Sequence, residues 1–404
     1  MTSNAAEMSS TEATQEESKM IIKNANLYMS DGNVMENAYL SVSDGKISAI
    51  GSMSDAPEFD AEVYDAAGGF LLPGLIDPHT HLGMWEDSLG FEGADGNEET
   101  DPITPHLRAI DGINPVDLCF AEAVDYGITS VVAGMGSANP IGGQLLAMKT
   151  FGKCVDDMVI KSPIAVKFAL GENPKTVYNG KNQAPMTRMA TAAVIREALF
   201  KAKKYLEKLE KAENDEDAEE PEFDIKNEAL IPLLKREIAA HFHAHRADDI
   251  FTAVRLSEEF GLDLRIVHGT DGASIANELA AKKVDVFVGP VICDRSKPEL
   301  KSKSDDTAAV LANAGVSVSI TTDHSVVPIQ HLMTSAQVAM KAGLSKQDAF
   351  KAITVNPAKS LGLDKRIGSL AVGLDADMAL FENDPLDSLF EKPKMVFVNG
   401  KRVR

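Results

Sequence analysis

Six short apolar runs constrain this chain more than any other feature: "GITSVVAGMG", "IAVKFALGEN", "IAAHFHAHR", "LRIVHGTDG", "VDVFVGPVI" and "VSVSITTDH" recur between residues 127 and 324. Each has the length and continuous apolar character of a strand buried on both faces. Several are separated by stretches of helical periodicity, such as "ADDIFTAVRLSEEFG" and "GASIANELAAKK". Strands alternating with helices are the mark of βα units around a parallel sheet. An earlier run, "GLIDPHTH", adds a seventh strand, and an eighth near residues 103–113 or 141–150 would close the sheet. The expected fold is therefore α/β, a (β/α)8 TIM barrel over residues 73–360.

The two chain ends read differently. "MIIKNANLYMSDG", "AYLSVSDGKISAIG" and "AEVYDAAGGFLLPG" are β-prone runs punctuated by Asp-Gly and Gly-Gly, and "PKMVFVNGKRVR" carries Asn399-Gly400, a hairpin-turn pair. Residues 19–72 and 361–404 are expected to build one small β domain together, a β-sandwich. Residues 1–18 are polar, acidic and aperiodic, the composition of a disordered tail. The run at 201–224, "KAKKYLEKLEKAENDEDAEEPEFD", is densely charged and reads as a solvated helix and acidic loop inserted between βα units.

Composition narrows the function classes. At 404 residues and a formal charge of -21, the chain is enzyme-sized and repels phosphate backbones and anionic membranes, so a small-molecule substrate is the expected partner. Cys119, Cys154 and Cys293 are odd in number and scattered, which supports neither a disulfide framework nor a thiolate zinc module and fits a reducing, cytoplasmic setting. No apolar stretch of membrane-spanning length and no secretory signal is visible.

Polar residues of chemical interest stand where the apolar runs end. His79 and His81 close the first run, Lys167 lies within another with Glu172 just beyond it, His241, His243 and His245 close the next, His268 the one after, and Asp323 and His324 the last. In a parallel barrel the C-terminal strand ends converge on one face, so these distant residues would meet. Side chains two apart on a strand point the same way, so His79 and His81 offer two imidazoles to one ion. Asp77 shares their parity but sits deeper, in a supporting position. Any one of these histidines, taken alone, reads equally as a core residue whose nitrogens find hydrogen bonds. Asp323 suits a general base, because a carboxylate beside a cation can take a proton from water the cation has acidified. Lys167 also reads as a packed aliphatic stem whose ammonium reaches an acid.

Loop residues supply substrate-binding candidates. Asn139 and Gln144 flank Gly142 and Gly143 in "GSANPIGGQ", where backbone can approach a ligand, although an ordinary glycine-rich turn fits too. His106 and Arg108 in "DPITPHLRAID" could take a carboxylate, and Lys175 and Tyr178 in "GENPKTVY" are similar candidates. "GSANPIGG" lacks the Gly-Lys-Ser/Thr ending of a phosphate loop.

In order, "PGLIDPHTHLG", "HFHAHRADD", "IVHGTDG" and "TTDHSVVP" resemble the motifs of the amidohydrolase superfamily of metal-dependent hydrolases, over residues 20–404. "GSANPIGGQ" and "FALGENPK" look like its imidazolonepropionase-like and prolidase-like branches. The resemblance implies one or two divalent ions, zinc first among them, on His79, His81, His243, His268 and Asp323. The fourth-strand position is then a carboxylated Lys167 bridging two ions or a Glu172 carboxylate on one. It further implies His245 and His324 on the substrate side, a homo-oligomer, and attack by activated water on an amide, cyclic amide or peptide-like carbon–nitrogen bond. Deamination of a nitrogen heterocycle at a single ion is the alternative on the same scaffold, and a non-catalytic binding barrel is a third reading.

Overall fold

The computed structural model describes residues 19–58, 60–86 and 89–404. The tail expected at 1–18 lies outside the described residues. Near the N-terminus run β1 (Lys19–Tyr28), β2 (Val34–Ser43), β3 (Lys46–Ser52), β4 (Glu62–Asp65) and β5 (Phe70–Pro73). Eight strands follow: β6 (Leu75–Thr80), β7 (Ile128–Ala133), β8 (Ile141–Lys149), β9 (Val159–Ala169), β10 (Ala239–Ala244), β11 (Leu264–His268), β12 (Asp285–Val288) and β13 (Val318–Ile320). The chain returns through β14 (Met378–Phe381), β15 (Met395–Val398) and β16 (Lys401–Arg402).

Strands from both ends form one hydrogen-bonded sheet, ordered β16-β15-β14-β5-β1-β2-β3, with β4 added beside β1. Its tight turns fall where the sequence places them: Asp44-Gly45 joins β2 to β3 and Asn399-Gly400 joins β15 to β16, all four residues at positive φ as a two-residue hairpin turn requires. Ile22, Leu27, Leu40, Leu380 and Phe397 fill the core on this sheet.

The middle strands make a second sheet in strict sequence order from β6 to β13. Every residue of β6, β7 and β10 is buried, as expected for strands covered on both faces. The eighth strand lies at 141–149, one of the two places expected, but it runs antiparallel to both β7 and β9. The strict βα repeat is thus broken there. The reason is length: only residues 134–140 separate β7 from β8, too few for the dozen or more that a parallel crossover needs. The sheet comes round on itself through Asp77 of β6, whose carboxylate accepts the Thr321 and Thr322 hydroxyls, both at 2.7 Å, and the Thr322 N–H at 2.9 Å. The His81 N–H to His324 carbonyl bond, 2.9 Å, finishes the seam.

Helices cover the barrel. Ala247–Phe260 buries Ile250, Ala253, Val254 and Leu256 and stops at Gly261, in the left-handed conformation. The charged run begins as the end of helix Arg188–Asn214, where Ala202 and Tyr205 are still buried, and continues as a largely exposed loop to Asp224. Asp224 caps the next helix, Ile225–Leu234, by accepting the Lys226 and Asn227 N–H groups. The two sheets are riveted by Lys149 of β8, buried between Asp375 (3.1 Å) and Asp377. Among the described residues no helix is long and apolar enough to cross a membrane.

Candidate metal centre

β6 runs out through Pro78 into His79-Thr80-His81, and the two imidazoles do lean to the same side, with ring centroids 5.1 Å apart. His81 gives its Nδ1 proton to the Gly134 carbonyl at 2.6 Å, which leaves the Nε2 lone pair facing Asp323 Oδ1 at 3.2 Å. His79 Nε2 lies 3.4 Å from the same oxygen. Asp323 follows β13 at φ 54°, and His268 ends β11 at φ 78°, left-handed conformations that non-glycine residues rarely adopt. Such outliers are held by surrounding structure and cluster at functional sites. His79, His81 and Asp323 form one group of convergent donors.

A second group stands beside it: His243, His245 and His268. Their ring centroids are 4.5 to 4.8 Å apart. His268 gives Nδ1–H to the Gly289 carbonyl at 2.7 Å, and His245 Nδ1 pairs with Thr270 Oγ1 at 2.7 Å. His243 is buried with neither ring nitrogen partnered. Lys167 of β9 is fully buried against the first group, its Nζ 2.9 Å from His79 Nε2.

Burial sets the protonation states. It pushes His79, His243 and His245 well below the ordinary imidazole range and His268 down to about 4. It lowers Lys167 to about 7. Burial alone would raise Asp323, but His268, His79 and His81 together hold its carboxyl well below the usual range. Neutral imidazoles with inward lone pairs beside an ionised carboxylate are the state a divalent cation needs in its ligands. The unpartnered buried nitrogens of His243 and His79 are the observation that fits a cation best, since buried polar atoms otherwise find partners.

The remaining candidates are scattered. Glu172 starts helix Glu172–Gly180 on the wall of the cleft above the histidines, outside both donor groups, and its carboxylate takes the Glu299 N–H at 3.3 Å. Asn139 spends its amide on the Glu98 and Asp101 carbonyls, 2.6 and 2.8 Å, bracing a loop. Arg108 pairs with Asp111 at the surface and, with His106, lines a neighbouring cleft on the far side of Trp85. Gln144 sits within antiparallel β8, its N–H on the Leu107 carbonyl. Lys175 and Tyr178 line no part of the histidine cleft, and Tyr178 is buried. His324 accepts the Ile329 N–H at 3.1 Å and steadies the turn after Asp323. His241 is buried against Phe287 with both nitrogens unpartnered.

Three residues at the site carry no signal in the sequence. Trp85 stands edge-on to His81 with centroids 4.8 Å apart, and Lys297 and the buried Glu299 reach the cleft from the loop after β12. The cleft encloses about 760 Å³ and is lined by His81, Trp85, His243, His245, Lys297 and Asp323 among others. Its size suits a small molecule.

Comparison with known proteins agrees with this geometry. The sequence model of the amidohydrolase family matches residues 70–403. The amidohydrolase tasK of Hapsidospora irregularis is 28% identical over 394 residues, covering 91% of this chain but 39% of that protein, so the chain spans well under half of that relative. The imidazolonepropionase of Stenotrophomonas maltophilia (strain R551-3) is 27% identical over 421 residues, covering 91% of this chain and 92% of that protein. Among solved structures, an amidohydrolase from Thermotoga maritima MSB8 superposes with a TM-score of 0.91 at 42% identity, covering 95% of this chain and 99% of that one.

Proposed function

Since this chain belongs to the amidohydrolase family, in its imidazolonepropionase-like branch, we propose that its two donor groups hold two divalent cations, zinc first among them, for hydrolysis of an amide, cyclic amide or peptide-like bond. The observation that carries the reading is the convergence of six donors from β6, β10, β11 and the end of β13 around the fully buried Lys167. Lys167, with its pKa lowered to about 7, is substantially uncharged near neutral pH, the state in which an amine takes up carbon dioxide as a carbamate. That carbamate would add oxygen donors at the fourth-strand position, in preference to Glu172, whose carboxylate is engaged with Glu299.

Divalent cations in such a site polarise the scissile carbonyl and lower the pKa of water toward 7. The chain's own residues do the rest. Asp323 Oδ1, next to His79 and His81, takes the proton from the attacking water and passes it to the leaving nitrogen. His81, its tautomer fixed by Gly134, presents its Nε2 lone pair beside that carboxylate, where a cation would be held between them, and Trp85 lines one side of the cleft. The test is a panel of dipeptides, N-acyl amino acids and cyclic amides assayed for amine and carboxylate release. Asp323→Asn should lose about 10²- to 10⁴-fold in kcat while still binding metal. An active Asp323→Asn, or a wild-type enzyme that releases only ammonia from heterocycles, overturns the proposal.

A further inference from the structure

We infer that Glu299 is an oxygen donor to the cation held by His243, His245 and His268, which rests on the two-cation reading and extends its donor set into the loop after β12. The Glu299 side chain is 1% exposed, and its Oε1 lies 3.7 Å from His243 Nε2 and 3.6 Å from His245 Nε2. These separations are too long for hydrogen bonds. Donor atoms around a four-coordinate ion with bonds of 2.0–2.1 Å stand roughly 3.4 Å apart, a few tenths of an ångström below these two separations, and Glu299 borders the converging trio of His243, His245 and His268 from just outside it. Neither nitrogen of His243 has a partner, and His245 pairs Nδ1 with the Thr270 hydroxyl, so the Nε2 atoms of both imidazoles are open to a cation on the Glu299 side. A carboxylate buried among neutral imidazoles is costly unless something positive completes the group. Lys297 supplies one contact to Oε1, at 2.8 Å, and leaves the oxygen's second lone pair directed elsewhere.

The loop is built to hold that carboxylate still. Glu299 Oε2 accepts the Glu172 N–H at 3.0 Å, and the Glu172 carboxylate takes the Glu299 N–H in return at 3.3 Å. Lys297 Nζ also donates to Asn173 Oδ1 at 3.0 Å. Gly171, at φ +82°, makes the approach possible, because a Cβ there would lie 2.7 Å from Glu299 Oε2. Glu172 thus acts as a positioning residue for the donor. Three imidazoles with carboxylate and carbamate oxygens select a borderline transition cation such as zinc or cobalt over magnesium or calcium.

The test is titration of chelator-stripped full-length protein with Zn²⁺ or Co²⁺, with stoichiometry from elemental analysis and stepwise affinities from calorimetry. Wild type should take two equivalents. Glu299→Gln should bind the first equivalent as wild type does, which also shows that it is folded, and the second at least about 100-fold more weakly. Glu299→Asp, the fallback if the glutamine variant does not fold, should weaken the second equivalent at least about 10-fold. Glu172→Gln, whose amide oxygen can still take the Glu299 N–H, should stay within about 10-fold of wild type. Two equivalents at unchanged affinity in Glu299→Gln, or loss of the second in Glu172→Gln alone, overturns the Glu299 assignment and leaves the two-cation reading standing. A wild-type protein that takes up fewer than two equivalents overturns both.

Discussion

Replacing Asp77 by alanine removes the acceptor that joins the first barrel strand to the last. Four donors point at its carboxylate: the Thr321 and Thr322 hydroxyls, the Thr322 N–H and the His79 N–H at 3.2 Å. The Thr321 hydroxyl can turn to the His79 carbonyl 2.5 Å away, so three donors are stranded in a buried place. At about 1–3 kcal/mol for each, less for the long His79 contact, the gross loss is about 3–6 kcal/mol. Removing the carboxylate also relieves the burial that pushes its pKa up to about 6, which offsets part of that loss. The net expectation is about 2–5 kcal/mol, a large share of the 5–15 kcal/mol that holds a typical domain. Urea unfolding of chelator-stripped protein measures it without the contribution of bound metal. Trp85, the chain's one tryptophan, sits against His81 and reports on this mouth of the barrel. Asp77→Asn, which keeps one oxygen, should fall between the alanine variant and wild type. Because the same carboxylate fixes the His79 backbone and the strand leading to Asp323, metal affinity in Asp77→Ala should drop about 10- to 100-fold. A loss of less than about 1 kcal/mol with unchanged metal affinity would refute the reasoning.

Lys149→Met leaves Asp377 buried without a cation, so urea unfolding should show a loss of about 3–5 kcal/mol and the end-strand sheet should separate from the barrel first; a loss under about 1 kcal/mol counts against the rivet. His241→Leu exchanges a buried imidazole with no partners for an apolar side chain and should be neutral or stabilising with full metal content, whereas loss of an equivalent would make His241 a ligand.

Much of the site was legible because two periodicities coincide in it. A side chain every second residue along a strand put His79 and His81 on one side, and the convergence of strand ends brought in His243, His268 and Asp323. The same parity joins both His241 and His245 to His243, so strand periodicity by itself does not tell that His245 stands among the donors and His241 does not. The antiparallel β8 was legible in principle from the short link at 134–140, but the strand-helix alternation on either side made a parallel unit the natural expectation. Glu299 was not legible. It lies in "DRSKPELKSK", a polar stretch without periodicity, and Glu172, which it meets through reciprocal backbone contacts, stands 127 residues earlier in the chain, where only the folded barrel brings it near. Asn139 and Arg108 show the converse: residue types able to bind a substrate are spent on bracing a loop and on a surface ion pair, assignments that depend on neighbours distant in sequence or on backbone direction.

An anomalous-difference map at the metal's absorption edge, from crystals of the loaded protein, addresses the two-cation centre most directly. Two peaks are expected at the mouth of the barrel, one bounded by His79, His81 and Asp323 and the other by His243, His245 and His268, with density for a carboxylated Lys167 between them. A single peak, or none within bonding distance of these side chains, would contradict it.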